Sequence, residues 1–187
     1  MDHYLDIRVL PDPEFAQNVL LGALVSKLHR GLVAIESDNI GISFPQHAMQ
    51  PRTLGDLLRL HGPLDRLNGL MQAGWLKGMN DHIDLHEIKG IPDSVGHRVV
   101  RRRQFKTNAD RLRRRRMKRK NETWEQAAEH IPDQVERRVN TPFVMVRSSS
   151  SGKAFPLFVE HCEAQSTPVP GSFSTYGLSQ GATVPWF

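Results

Sequence analysis

Residues 111–120 read RLRRRRMKRK, eight cationic side chains with no acid among them. From Arg98 to Lys120 there are 13 Lys/Arg against one acid, Asp110, while the other 164 residues hold 12 cations and 19 acids. An acidic chain therefore carries one intensely basic element, and such an element binds a polyanion, most commonly nucleic acid. On a helix Arg111, Arg115 and Arg119 fall at i, i+4 and i+8, with Arg114 and Lys118 beside them. Leu112 and Met117 are its only apolar residues, too few for a membrane-surface or calmodulin-type helix. Phosphates suit it better, and arginine's planar fork can also pair bidentately with guanine. Just upstream, VGHRVVRRRQFK alternates, so on a strand Arg98, Val100, Arg102, Gln104 and Lys106 share a face. The major groove of a long A-form helix excludes side chains, whereas a short stem is open at its ends. An arginine helix beside a strand bearing Arg102 and Gln104 suits a small RNA hairpin.

Other residues could do chemistry on such a ligand. An imidazole with an ordinary pKa of about 6.5 is a natural base for a ribose hydroxyl near neutrality. His29 sits at the edge of an apolar helical stripe, where a histidine is more often a partly buried structural residue. Ser148 opens the run SSSS (148–151), which reads as a polar turn and has no Ser-His-Asp order to make it a nucleophile. Tyr176 is one of only two tyrosines. His82, Asp84 and His86 alternate on one strand, but no Cys or Glu cluster joins them, so no metal site is expected there. The single Cys162 excludes an internal disulfide and argues for a reducing compartment.

The elements that must position these groups follow from periodicity. HYLDIRVL (3–10) alternates with Leu5, Ile7 and Val9 on one side, a strand. PDPEF then opens a helix from Glu14 to Ile35 whose stripe is Leu21, Leu24, Leu28, Leu32 and Ile35. Strands are expected at 40–44 and 57–60, a helix from Pro63 to Gly74, and a strand at 82–88 with Ile83 and Leu85 inward. The order βαββαβ is the ferredoxin-like arrangement that RNA-recognition modules share. Residues 89–96 read as a linker. Beyond it come the alternating strand and the basic helix (about 108–120), which Thr107-x-x-Asp110 can cap. Thr123-x-x-Gln126 repeats that device for a second helix with Trp124, Ala127, Ala128 and Ile131 inward. PFVMVRSS and KAFPLFVEH form a hairpin, and a last strand is expected around SFSTYG with the tail VPWF. The class is thus α+β: a ferredoxin-like domain over 1–94, then a smaller mixed domain over 95–187 with the arginine-rich helix. No apolar run reaches the ~20 residues of a membrane span. With no signal-peptide pattern at the N-terminus either, a cytoplasmic protein is expected.

The opening MDHYLDIR, KLH at 27–29, the arginine helix after Asn108, RSSS at 147–150, FPLF at 155–158 and the ending YGLSQGATVPWF together resemble one family. It is the CRISPR-associated endoribonuclease of type I-F systems, which cuts the repeat transcript into guide RNAs. The resemblance runs nearly end to end. It implies that the arginine helix enters the major groove of the repeat hairpin through residues such as Arg115 and Arg119. It also implies that His29, Ser148 and Tyr176 form the cleavage site. By the same resemblance Arg102 and Gln104 read base edges at the foot of the stem, Phe155 stacks on the terminal base pair, and Ser150 lies near the scissile phosphate. Lys118 stands where the family has arginine, and Pro156 follows Phe155 where a longer polar residue is usual.

The expected activity is metal-independent cleavage at the base of the stem by 2′-hydroxyl attack, without cofactor. His29 would activate the hydroxyl, Ser148 hold the ribose and Tyr176 orient the imidazole. The resemblance adds other subunits of a type I-F surveillance complex as partners, and no membrane. The alternatives are a non-catalytic RNA-hairpin-binding subunit and a DNA-binding regulator.

Overall fold

In the computed structural model, which describes residues 1–105, 109–132, 140–148 and 152–187, β1 (His3–Val9) leads into α1 (Gln17–Ala34). There follow β2 (Gly41–Ser43), the small hairpin β3 (Ala48–Met49) and β4 (Arg52–Thr53), then β5 (Leu57–Gly62) and α2 (Leu64–Gln72). β6 (Ile83–Leu85) and β7 (Lys89–Gly90) complete the first sheet, whose order is β2-β5-β1-β6 with β7 also on β1. Every pairing in it is antiparallel. A second antiparallel sheet, order β11-β8-β10-β9, holds β8 (Gly96–Arg103), β9 (Phe143–Arg147), β10 (Ala154–His161) and β11 (Thr183–Trp186). The protein is an α+β chain.

The alternation in β1 buries Leu5, Ile7 and Val9 as read, and the α1 stripe buries Leu21, Leu24, Leu28 and Leu32 while Ile35 is half-buried. Side chains of both sheets meet in one apolar core, to which Val100, Val144, Leu157 and Val184 belong. Four expectations need correction. α1 starts at Gln17 because Asp12 Oδ1 accepts from the Glu14 and Phe15 amides at 2.8 and 2.9 Å and holds that stretch in a local turn. Leu85 is 43% exposed, at the end of a three-residue edge strand. Lys89 and Gly90 are not linker but pair with Tyr4 and His3. Residues 172–177 form a turn rather than a strand, for Ser174 N donates to Leu178 O and Gly177 N to Ser174 O.

α1 also packs on β9, and one residue permits the approach. A Cβ on Gly22 would run into the Met145 carbonyl oxygen. A second tie joins the first sheet to the end of the chain: Arg59 pairs bidentately with Asp6 at 2.7 and 2.8 Å and donates from Nη1 to the Phe187 oxygen at 2.9 Å. Its guanidinium lies over the Tyr4 and Phe187 rings. The buried His61 and the half-buried His161 are both held neutral. His61, hydrogen-bonded to Ser43 Oγ at 2.8 Å, is driven by burial to a pKa of about 3. Burial lowers His161 to about 3 as well; it accepts from the Phe44 amide and stacks on His47 at 3.8 Å.

Contacts sort the chain into two units, Met1–Arg103 with Thr141–Phe187, and Gln104–Asn140. A division after residue 94 follows chain order; the contacts follow another line, because β9 packs on α1 and β11 on β2. The smaller unit is built on α3 (Ala109–Lys120) and α4 (Trp124–His130). Asn121, with φ +54°, ends α3 in the left-handed conformation, and Thr123 and Gln126 cap α4 reciprocally. Ala127 is buried as expected, but Trp124 remains 37% exposed, with the Arg113 guanidinium 5.6 Å from its ring. The proposed cap of α3 at Thr107 lies outside the described residues. No described helix is long and apolar enough to cross a membrane.

Candidate active site and nucleic-acid interface

His29 lies near the C-terminal end of α1, next to the fully buried Leu28, so the backbone that carries it is fixed by the core. Its Nδ1 is 3.0 Å from the Thr175 carbonyl oxygen. A carbonyl can only accept, so Nδ1 carries the proton and Nε2 presents the lone pair of a base. The Tyr176 ring stacks on the imidazole with centroids 4.1 Å apart and planes parallel. Burial raises the Tyr176 phenol above its ordinary pKa, with Arg102 acting weakly the other way, so the ring stays uncharged near neutrality.

The turn that supplies Thr175 and Tyr176 is anchored at both ends. Phe173 is buried and its amide donates to Asp38 O, while the Gly177 carbonyl accepts from the Ile42 amide at 2.9 Å. Gly177 has φ +68°, and a Cβ there would lie 2.6 Å from Ile42 Cγ2, so no other residue fits.

Ser148 follows β9 and is half-buried. Its amide donates to Lys153 O and its carbonyl accepts from Gly152 N, both at 2.9 Å, which closes the turn toward β10. One residue earlier, the Arg147 amide donates to Ser26 Oγ at 3.3 Å, and that hydroxyl donates to Gly22 O. β9 thus runs along α1 with Met145 level with Gly22 and Arg147 level with Ser26. Ser148 continues that line toward the helical turn that carries His29. The arrangement brings His29 and Tyr176 into contact and leads the β9 backbone toward them. Ser150 lies outside the described residues.

Arg102 and Phe155 meet on neighbouring parts of the second sheet, the guanidinium 5.5 Å from the ring centroid. The Arg102 carbonyl accepts from Gln180 Nε2 at 3.3 Å. Gln104 is exposed and belongs to the smaller unit.

Within that unit the arginines of α3 divide into two sets. Arg111, Arg114, Arg115, Lys118 and Arg119 are exposed. Arg113 is buried, donating to Ile131 O at 2.9 Å and Asp110 at 3.2 Å, and Arg116 pairs with Glu122 at 2.6 Å. The five residues picked out by helical spacing therefore make the cationic face, while Arg113 holds the C-terminal end of α4 and Arg116 the link that precedes it. Elsewhere His82 bonds to Asp12 and His86 to Asp84, so the strand trio does not converge. Among the described residues no His/Cys/Asp/Glu group could hold a metal ion.

Residues 4–187 match the family model described as CRISPR-associated protein (Cas_Csy4). The chain belongs to that family. Proteins called CRISPR-associated endonuclease Cas6/Csy4 from Pseudomonas aeruginosa (strain UCBPP-PA14) and Escherichia coli (strain UTI89 / UPEC) are each 46% identical to it over 187 residues, all of both chains. A solved structure described as an RAMP protein binding different RNA substrates aligns over 98% of this chain and 99% of its own, with 14% identity and a TM-score of 0.34. That last likeness is too distant to carry an argument. The His29–Tyr176 stack is the candidate site that the fold assembles from residues singled out in the sequence. Three of its supports carry no signal of their own in the sequence. Thr175 acts through its carbonyl, Ser26 reads as one more small helical residue, and Gly22 acts by lacking a Cβ.

Proposed function

We propose that this protein is the metal-independent endoribonuclease that binds a CRISPR repeat RNA hairpin and cuts at the base of its stem to release guide RNA. The observation that carries the reading is His29, with its Nδ1 proton committed to the Thr175 carbonyl and its ring packed on Tyr176. His29 Nε2 takes the proton of the 2′-hydroxyl upstream of the cut. The freed oxygen attacks phosphorus as the bond to O5′ breaks, giving a 2′,3′-cyclic phosphate and, after protonation, a 5′-hydroxyl. Ser148 holds the ribose and Tyr176 holds the imidazole. Because the nucleophile comes from the substrate, the step needs no metal-bound water.

The exposed residues Arg111, Arg114, Arg115, Lys118 and Arg119 grip phosphates in the groove; Arg102 and Gln104 read the lowest base pairs; Phe155 stacks on the last of them, with Ser150 beside the scissile phosphate. The first 94 residues, with βαββαβ order and an antiparallel sheet, are read as a ferredoxin-like domain that supplies the base, and residues 95–187 as the hairpin-binding part. The product is retained within a type I-F surveillance complex in the cytoplasm. The deciding experiment incubates the protein with its repeat RNA in EDTA, beside a copy carrying one deoxynucleotide immediately upstream of the cut. Cleavage of the first and intact binding of the second are expected. Cleavage of the deoxy copy, or a demand for divalent metal, refutes the mechanism. Binding without cleavage of either leaves an RNA-binding subunit.

A further inference from the structure

Where α1 lies against β9, a groove of about 450 Å³ runs along the surface of the larger unit, lined among others by Ala23, Lys27, Arg30, Met145, Arg147 and Ala154. Three of these are cations, and no acid is among the described residues that line it. Lys27 Nζ donates to Lys77 O and Arg147 Nε to Gly152 O, both neutral partners that leave the positive charges uncompensated. Ala23, Met145 and Ala154 supply apolar surface on which bases can lie. The groove ends beside the site: Arg30 follows His29 on α1, and Arg147 precedes Ser148 after β9.

The pleat of the second sheet separates this groove from the residues proposed to read the stem. Val144, Val146 and Leu157 point to the core, and Phe155, opposite Val146, shares their face. Arg102 shares the face of buried Val100 and meets Phe155. Met145 and Arg147 are exposed on the opposite face, with Ala154 paired to Arg147. A strand leaving the cut can therefore follow the groove without competing with the stem for Arg102 or Phe155.

We infer that the α1–β9 groove is a binding track for single-stranded RNA on the 5′-hydroxyl side of the cut, held through phosphates by Arg30, Arg147 and Lys27. This rests on the endoribonuclease reading. The test uses two repeat hairpins, each with a deoxynucleotide upstream of the cut so that neither is cleaved, one ending a single nucleotide past the cut and the other continuing several further. The wild-type protein should bind the longer RNA more tightly. Its log K against log salt should be steeper by about 0.7 for each additional phosphate held. The double variant Arg30→Ala/Arg147→Ala should bind both RNAs alike while keeping wild-type affinity for the short one, and Arg30→Lys/Arg147→Lys should restore the preference. If the double alanine variant loses the short hairpin as well, Arg30→Gln decides, since an exposed position on α1 leaves the core intact; it should lose part of the length preference. A wild-type protein indifferent to length, or a folded variant that still prefers the longer RNA, overturns the track and leaves the groove to some other anionic partner. Failure of the catalytic reading looks different: the deoxy hairpins are cut, or the short one is not bound at all.

Discussion

The His29 imidazole is held from two directions, in its plane by the Thr175 carbonyl and across its face by Tyr176, and these supports can be tested separately. His29→Ala should lower the single-turnover rate by roughly 10²–10⁴-fold, the range for one acid–base group, with hairpin affinity retained. Tyr176→Phe keeps the stacked ring and should keep most of the rate. Tyr176→Leu removes a ring pair worth about 0.5–1.5 kcal/mol and should slow cleavage several-fold. Equal losses in Phe and Leu variants would move the role of Tyr176 from the ring to the hydroxyl. Arg102 is expected to contact a base, so Arg102→Ala should cost about 1–3 kcal/mol on the cognate stem and relax discrimination at its lowest pairs. Equal losses on cognate and scrambled stems, measured by competition binding, would make it a phosphate contact instead.

α3 combines two tasks in one run of sequence, and substitution should separate them. Arg115→Ala removes an exposed cation and should weaken binding with little change in thermal stability. The slope of log K against log salt should become shallower by roughly 0.7–0.9 for each phosphate no longer neutralised. Arg113→Ala leaves the Ile131 carbonyl and Asp110 without their donor and should show first as a loss of helicity and melting temperature. Which arginines face outward was legible, because 111, 114, 115, 118 and 119 follow helical spacing; that one of the others is buried was not, because an inward arginine needs a carbonyl supplied from α4. The same limit runs through the fold. Period-two and period-3.6 patterns gave β1, α1 and the β9–β10 hairpin. They could not give the turn at 172–177, whose shape depends on Gly177 against Ile42, nor the packing of α1 on β9, which turns on a side chain that is not there. Gly22→Ala drives a methyl into the Met145 carbonyl, an overpacking that should cost about 1–3 kcal/mol in urea denaturation. Since that packing also sets Ser148 relative to α1, cleavage should slow before the protein unfolds.

The whole molecule should be acid-sensitive in a defined window. His61 and His161 have folded pKa values of about 3, below the ~6.5 of an unfolded histidine. Below pH ~6.5 the unfolded chain binds protons that the folded one refuses, so stability is full above that value and is lost progressively down to about pH 3. Urea midpoints measured between pH 7.5 and 5 should fall, and His61→Gln, which keeps a polar group near Ser43 but does not titrate, should flatten the slope. A slope unchanged in that variant would assign the effect elsewhere. The pairing of β10 has a further consequence. Arg103, where β8 ends, and Phe143, where β9 begins, both sit opposite Phe158, one on each side of β10. The ends of the 104–140 segment are therefore anchored about two strand spacings, ~10 Å, apart, a gap that a linker of about five residues spans. His29, Ser148 and Tyr176 all lie outside the segment. In engineering terms it is a cassette: a chain with 104–140 replaced by a short Gly/Ser linker should still melt cooperatively, and a relative's segment spliced at the same two points should change the contacts made by α3 and Gln104 while leaving those of Arg102 and Phe155 as they are.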